Sequence, residues 1–184
     1  MSYRGWAAFG CWLAALVGGL YQLADHQFTA GRSGSTPPRW IEPVSADRPT
    51  GRPRLLMFVH PHCPCTPSSL RNFAAVATET GCEGVIYIAA ENLAGTPNGR
   101  LAARLPGVQV CTDATGVVAR QFGTLTSGHV FLYTTDGRLV FEGGITAGRG
   151  HEGDSPGRRA LVARLTGAED QLVSLPVFGC PLHD

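Results

Sequence analysis

Hydrophobic positions change their spacing several times along the chain, and each change marks an element. Trp6 to Leu23, WAAFGCWLAALVGGLYQL, holds no charged side chain. At about 1.5 Å per helical residue such a run is just long enough for a bilayer core of roughly 30 Å, so it predicts a transmembrane helix within residues 1–28. A cleaved signal peptide is the alternative. Arg4 and the amino terminus precede the run and Asp25 follows it, an asymmetry that predicts a cytoplasmic N-terminus and an exported C-terminal domain. Residues 29–53 are rich in Gly, Pro, Ser and Thr and predict a linker that tethers the domain. Within it, Trp40 and Ile41 are equally suited to docking on the domain and to lying at the membrane interface.

Residues 54–167 carry the alternation of a folded domain. Leu55 to Val59 is an apolar run fit for a buried strand. Thr66-Pro67 then gives an N-cap and first-turn signal, and Leu70, Phe73, Ala74 and Ala77 lie at i, i+3, i+4 and i+7 of a helix that stops near Gly81. Val85 to Ala89 predicts a second buried strand, residues 98–105 a short helix and Val108 to Val110 a short strand. Ala114, Val117, Val118 and Phe122 outline a further helix closed by Gly123. Val130 to Tyr133 and Leu139 to Phe141 flank Asp136-Gly137, a hairpin signal, and Ser155-Pro156 opens a last helix through Leu161 and Leu165 to Gly167. Residues 168–184 form a C-terminal tail that contains Cys180. The predicted class is α/β: a mixed central sheet flanked by helices, preceded by the transmembrane helix.

Length and charge act by exclusion. A chain of 184 residues predicts one domain with an appendage. The net charge is +1, and all 15 basic side chains are Arg, spread from Arg4 to Arg164. Backbone binding to nucleic acid needs a concentrated basic face, so no nucleic-acid partner is expected. GRGHEG matches G-x-G-x-x-G but opens no βαβ unit, which excludes a dinucleotide site and leaves a flexible lid.

The candidate chemistry sits in VHPHCPCTPSSLRNF, residues 59–73, where two cysteines flank one proline at the strand-to-helix junction. The thiolate is the reactive form of cysteine, and a helix N-terminus with His60 and His62 nearby favours it. Cys63 and Cys65 are therefore the candidate catalytic pair, with His60, His62 and Thr66 lining the site. A disulfide across so small a ring is strained and easily reduced; it closes almost no loop entropy, which argues against a purely structural bridge. Cys180 lies in a tail whose Val177-Phe178 pair predicts docking, with Gly179 for a turn and Pro181 to fix the exit. It is expected to join Cys63 and Cys65 as resolving thiol or third ligand. Cys82 and Cys111 are either a structural disulfide or two buried thiols. Thiol exchange needs no cofactor. The alternative is copper or zinc binding: Cys63, Cys65 and Cys180 with His183 supply three sulfurs and an imidazole, and His129 and His151 are further candidate ligands.

The element order, with cysteines after the first strand at the head of its helix, resembles the thioredoxin superfamily over residues 54–167. The insertion before Ala114 resembles its redoxin-type, membrane-tethered branch. VHPHCPCT, TSGHVFLY, GGITAGRGHEGD and VFGCPL together are similar to a RedB-like branch. The resemblance implies an exported thiol-disulfide oxidoreductase acting on a protein dithiol or disulfide. It also implies that the loop after the hairpin brings Gly143, Gly144 and His151 beside the cysteines. Two features depart from the family pattern. Cys-x-Cys replaces Cys-x-x-Cys, and Gly128, followed by His129, stands where the family has a cis-proline facing the cysteines. Copper-delivery proteins of oxidase assembly share this fold and tether, which is what the resemblance contributes to the metal alternative.

Overall fold

β1 (Arg54–Val59) is buried at all six positions, because it lies inside a sheet covered on both faces, where an unbroken apolar run replaces alternation. The computed structural model describes residues 3–41, 51–167 and 171–183. β1 pairs in parallel with β2 (Glu83–Ile88), which in turn carries a parallel β3 (Val108–Thr112). On its other side β1 pairs antiparallel with β4 (His129–Tyr133), followed by antiparallel β5 (Leu139–Gly144). A short β6 (Val173–Ser174), which the periodicity does not predict, adds in parallel to the edge of β5. The order across the sheet is β3-β2-β1-β4-β5-β6.

Side chains alternate between two cores. Leu55, Met57 and Val59 of β1 join Ile86, Ile88, Val130 and Leu132 beneath α2 (Thr66–Thr80), with Leu161 of α5 (Pro156–Leu165) in the same cluster. Leu56 and Phe58 point to the opposite face, where Tyr87, Phe131 and Tyr133 meet Phe122 and α4 (Val117–Gln121). α4 starts later than the apolar spacing from Ala114 predicts. The buried Asp113 carboxylate accepts the N–H groups of Val118 and Ala119, at 3.2 and 2.8 Å, and so caps the helix at that point. Cys82 packs in the first core and Cys111 against the second. The sheet separates them, so the disulfide alternative falls and both are thiols.

α1 (Tyr3–Phe28) is long and apolar enough to cross a membrane, and none of its residues is buried. The segment after it does not hang free as a tether should. Gly31 N–H donates to the Val177 carbonyl at 2.7 Å, Thr126 Oγ1 to the Arg32 carbonyl at 2.6 Å, and Gly34 N–H to the Gly123 carbonyl at 2.8 Å. Trp40 then packs on Phe122 and Tyr133, with the Arg54 guanidinium 4.3 Å from its ring centre. Residues 31–41 are therefore a strap across the second core. A large aromatic anchor outweighs a flexible composition here, since burying such a ring is worth a few kcal/mol. Residues 42–50 of the predicted linker and 168–170 of the tail lie outside the described residues.

Candidate active site

Beyond Val59 the chain turns through His60 to Cys65 into α2, and buried groups from two other elements hold that turn. Asn98, in α3 (Pro97–Ala102), donates from Nδ2 to the carbonyls of His60 and Cys63, both at 3.0 Å. His60 N–H donates to Ser127 Oγ at 2.9 Å, and His62 N–H to His60 Nδ1 at 3.2 Å. The helix cap differs from expectation. Cys65 is the N-cap residue, already in αR backbone and without a side-chain cap bond, and Thr66 lies inside the first turn. The Thr66 hydroxyl is buried and committed elsewhere: it is 2.9 Å from Ser127 Oγ and hydrogen-bonded to Cys63. Thr66 has one proton to give. If that proton goes to the sulfur, Ser127 donates to Thr66 while accepting from His60 N–H. A directed chain thus runs from a backbone amide through two hydroxyls to Cys63.

The third sulfur arrives on the tail. Leu175 N–H donates to the Glu142 carbonyl at 3.0 Å, and the chain then crosses Gly143 and Gly144. A Cβ on Gly144 would lie 2.6 Å from the Pro176 carbonyl, and one on Gly179 would overlap the Ser127 carbonyl. Ser127 N–H donates to the Cys180 carbonyl and Leu182 N–H to the Leu125 carbonyl, both at 2.9 Å. These backbone bonds set Cys180 Sγ 3.0 Å from Cys63 Sγ, across 117 positions of sequence.

Cys63 is 3 % exposed, and burial alone would raise its thiol pKa. Hydrogen bonds from Thr66, from Cys180 and from the backbone of Cys180 and Cys65 outweigh burial and hold it below the ordinary cysteine value. Burial, then the hydrogen bond to Cys63 and the neighbouring sulfur charges, push Cys180 up. Of the two sulfurs, Cys63 is therefore the more easily ionised. Burial and the Cys63 charge also raise Cys65, against the opposing pull of Arg149.

Arg149, Ser127 and Asn98 are the site residues that sequence reasoning missed. Arg149 Nε donates to the His26 carbonyl at 2.9 Å, its Nη1 to the Gly179 carbonyl, and its backbone N–H to the Gln27 carbonyl at 3.2 Å. It thereby ties the end of α1 to the tail. Its surroundings in GRGHEG are no flexible lid. Ser68 Oγ donates to the Gly150 carbonyl, Asn72 exchanges two hydrogen bonds with the backbone of Gly153, and Arg71 pairs with Glu152.

The remaining predicted residues disperse. His62 is exposed. Gly128 has φ +88° and donates its N–H to the Phe58 carbonyl at 2.8 Å; Gly144 admits the tail. His129 is buried with its ring 4.2 Å from that of Phe131, on the face of the sheet opposite α2. His151 stacks on Phe28 and meets Gln27, and His183 lies against Gly116. Among the described residues no three Cys, His, Asp or Glu side chains are disposed to hold a metal ion.

No protein-family model matches the chain, and no curated protein does. Solved structures are similar in fold. A hypothetical protein from Sinorhizobium meliloti shares 22 % identity over 85 % of this chain and 96 % of its own, with a TM-score of 0.56. An uncharacterized conserved protein from Geobacillus kaustophilus shares 17 % over 84 % and 92 %, at 0.59. A putative thiol:disulfide interchange protein DsbE from Chlorobium tepidum shares 19 % over 74 % and 97 %, at 0.50. With the mixed sheet and the cysteines at the head of α2, these likenesses show that the chain has a thioredoxin-like fold.

Proposed function

We propose that the protein is a thiol-disulfide oxidoreductase acting on protein dithiols or disulfides, anchored to the membrane by α1 with its domain on the exported side. The observation that carries this reading is the 3.0 Å approach of Cys63 Sγ to a second thiol at the head of α2. A sulfur more easily ionised than an ordinary cysteine, beside a second thiol, has what exchange needs: a nucleophile or leaving group, and a thiol to complete the second displacement. The fold shared with a putative thiol:disulfide interchange protein supports it. The exported location rests on α1, on the charge asymmetry around it and on the need for an oxidising compartment.

The test uses the full chain in detergent with a dithiol peptide, its disulfide form, and a glutathione redox buffer. Exchange should be catalysed by the wild type and abolished by Cys63→Ala. Equal rates with and without Cys63, or no exchange at all, would end the reading. A compartment-sensitive reporter fused after Asp184 should be active only as an exported reporter. Copper or zinc bound stoichiometrically by the reduced protein, with no exchange activity, would put metal binding through Cys63, Cys65 and Cys180 in its place.

A further inference from the structure

Which two of the three sulfurs form the bond follows from their placement. Cys63 is the central one and is almost wholly buried, at 3 % exposure. Cys180 already touches it, held there by the hydrogen bonds from Ser127 N–H to the Cys180 carbonyl and from Leu182 N–H to the Leu125 carbonyl. Cys65 follows across a single proline, so its bond to Cys63 would close a small strained ring, whereas Cys180 closes a large loop without distorting the turn. Access differs as well. Cys180 and Cys65 are both partly exposed whereas Cys63 is buried, so within a Cys63–Cys180 bond the sulfur open to an incoming thiol is Cys180.

We propose that Cys63 and Cys180, rather than Cys63 and Cys65, form the working disulfide, that a substrate thiol attacks it at Cys180, and that Cys63 is the leaving sulfur. The proposal deepens the thiol-disulfide reading above and rests on it for turnover. In the oxidising direction the substrate is a dithiol peptide segment.

In the first step the substrate thiolate attacks Cys180 Sγ, the Cys63–Cys180 bond breaks, and Cys63 departs with the electron pair as a thiolate. Thr66 and the backbone N–H groups that hydrogen-bond the Cys63 sulfur stabilise it there, and a stabilised leaving thiolate accelerates the exchange. In the second step the other substrate thiol loses its proton and attacks the substrate sulfur of the mixed disulfide. The substrate disulfide forms, and Cys180 leaves and takes up a proton. Two electrons and two protons leave the dithiol; one proton stays on Cys180 and the other goes to solvent. A disulfide-bearing oxidant regenerates the bond by the reverse exchange, and glutathione disulfide serves as that oxidant in the test.

Full-length protein in detergent is oxidised with glutathione disulfide, its free thiols are alkylated, and its peptides are mapped. The expected map joins Cys63 to Cys180 and leaves Cys65 alkylated, with the same bond in Cys65→Ser. A single-cysteine peptide added to the oxidised protein should be captured on Cys180. In Cys180→Ser, oxidation of a dithiol peptide should fall by about tenfold or more. A Cys63–Cys65 bond in the wild type, capture of the single-cysteine peptide on Cys63 or Cys65, or undiminished dithiol oxidation by Cys180→Ser would each overturn the proposal. The map decides the pairing whatever the turnover. Turnover with a Cys63–Cys65 map sinks only this inference, and a Cys63–Cys180 map without turnover on any dithiol or disulfide sinks only the oxidoreductase reading.

Discussion

The Ser127 side chain bears on the ionisation of Cys63 through Thr66. Its hydroxyl accepts from His60 N–H and meets Thr66 Oγ1, each at 2.9 Å, so the Thr66 proton is left free to point at the sulfur. Ser127→Ala should remove that constraint and leave a buried amide without its acceptor, at a cost of about 1–3 kcal/mol. Titration of the thiolate ultraviolet absorbance should then show Cys63 ionising at higher pH than in the wild type. An unchanged titration would mean that Thr66 orients itself. His129 offers a separate test of burial. Desolvation lowers its pKa from 6.5 to about 4, so the folded protein holds the ring neutral where the unfolded chain protonates it. The stability this contributes is whole above about pH 6.5 and falls as the pH drops, at about 1.4 kcal/mol per unit. About 3 kcal/mol should be gone near pH 4. Denaturant midpoints at neutral and acidic pH measure the loss, which should shrink in His129→Phe.

Two segments with the composition of loops behave as structural elements. The strap of residues 31–41 is held by Trp40 against Phe122 and Tyr133, and the tail by backbone pairing with residues 125–127. Both depend on close backbone approach. Gly179 has the Ser127 carbonyl where a Cβ would stand, so Gly179→Ala should push the tail away at a cost of about 2 kcal/mol. Cys63 should become accessible to alkylation in that variant while the sheet persists, as far-ultraviolet circular dichroism can verify. If alkylation of Cys63 stays slow, something other than the tail shields it. The glycines of GGITAGRGHEGD read as a mobile lid from composition. The loop is instead clamped to α2, because Ser68 and Asn72 on that helix reach its carbonyls.

At the largest scale, Arg149 makes the end of α1, the tail and the thiols one connected pole of the protein. α1 is long and apolar enough to anchor that pole to a bilayer. The protein should sediment with membranes and resist alkaline extraction, and deletion of residues 3–28 should release it. Release of the full chain by alkaline buffer would show that α1 is no anchor. The same connection should make oxidation stabilising. A Cys63–Cys180 bond restrains a loop of more than a hundred residues, worth up to about 5 kcal/mol in the chain-entropy account. The denaturant midpoint of the oxidised protein should exceed that of the reduced protein accordingly, and Cys180→Ser should abolish the difference.

Periodicity along the chain was enough to place the strands at 55–59, 85–89, 130–133 and 139–141, the helix after Thr66 and the apolar span at 6–23, because each is a local pattern of burial. The Cys-Pro-Cys turn was legible for the same reason: its chemistry and its helix signal are adjacent in sequence. Apolar spacing overstates the short helix at Val117 because the carboxylate that holds its first turn, Asp113, is a buried hydrogen-bonding group to which such spacing is blind. Cys82 and Cys111 could be separated only once the sheet assigned them to opposite faces. The histidines dispersed in the same way, since a ring's destination depends on which face of its strand or loop is covered. Cys180 was suspect from its tail, but its sulfur reaches Cys63 only because β6 adds to the sheet edge and residues 125–127 pair with the tail. Contacts between positions 117 apart arise from loop closure and backbone pairing, to which no local spacing of side chains is sensitive.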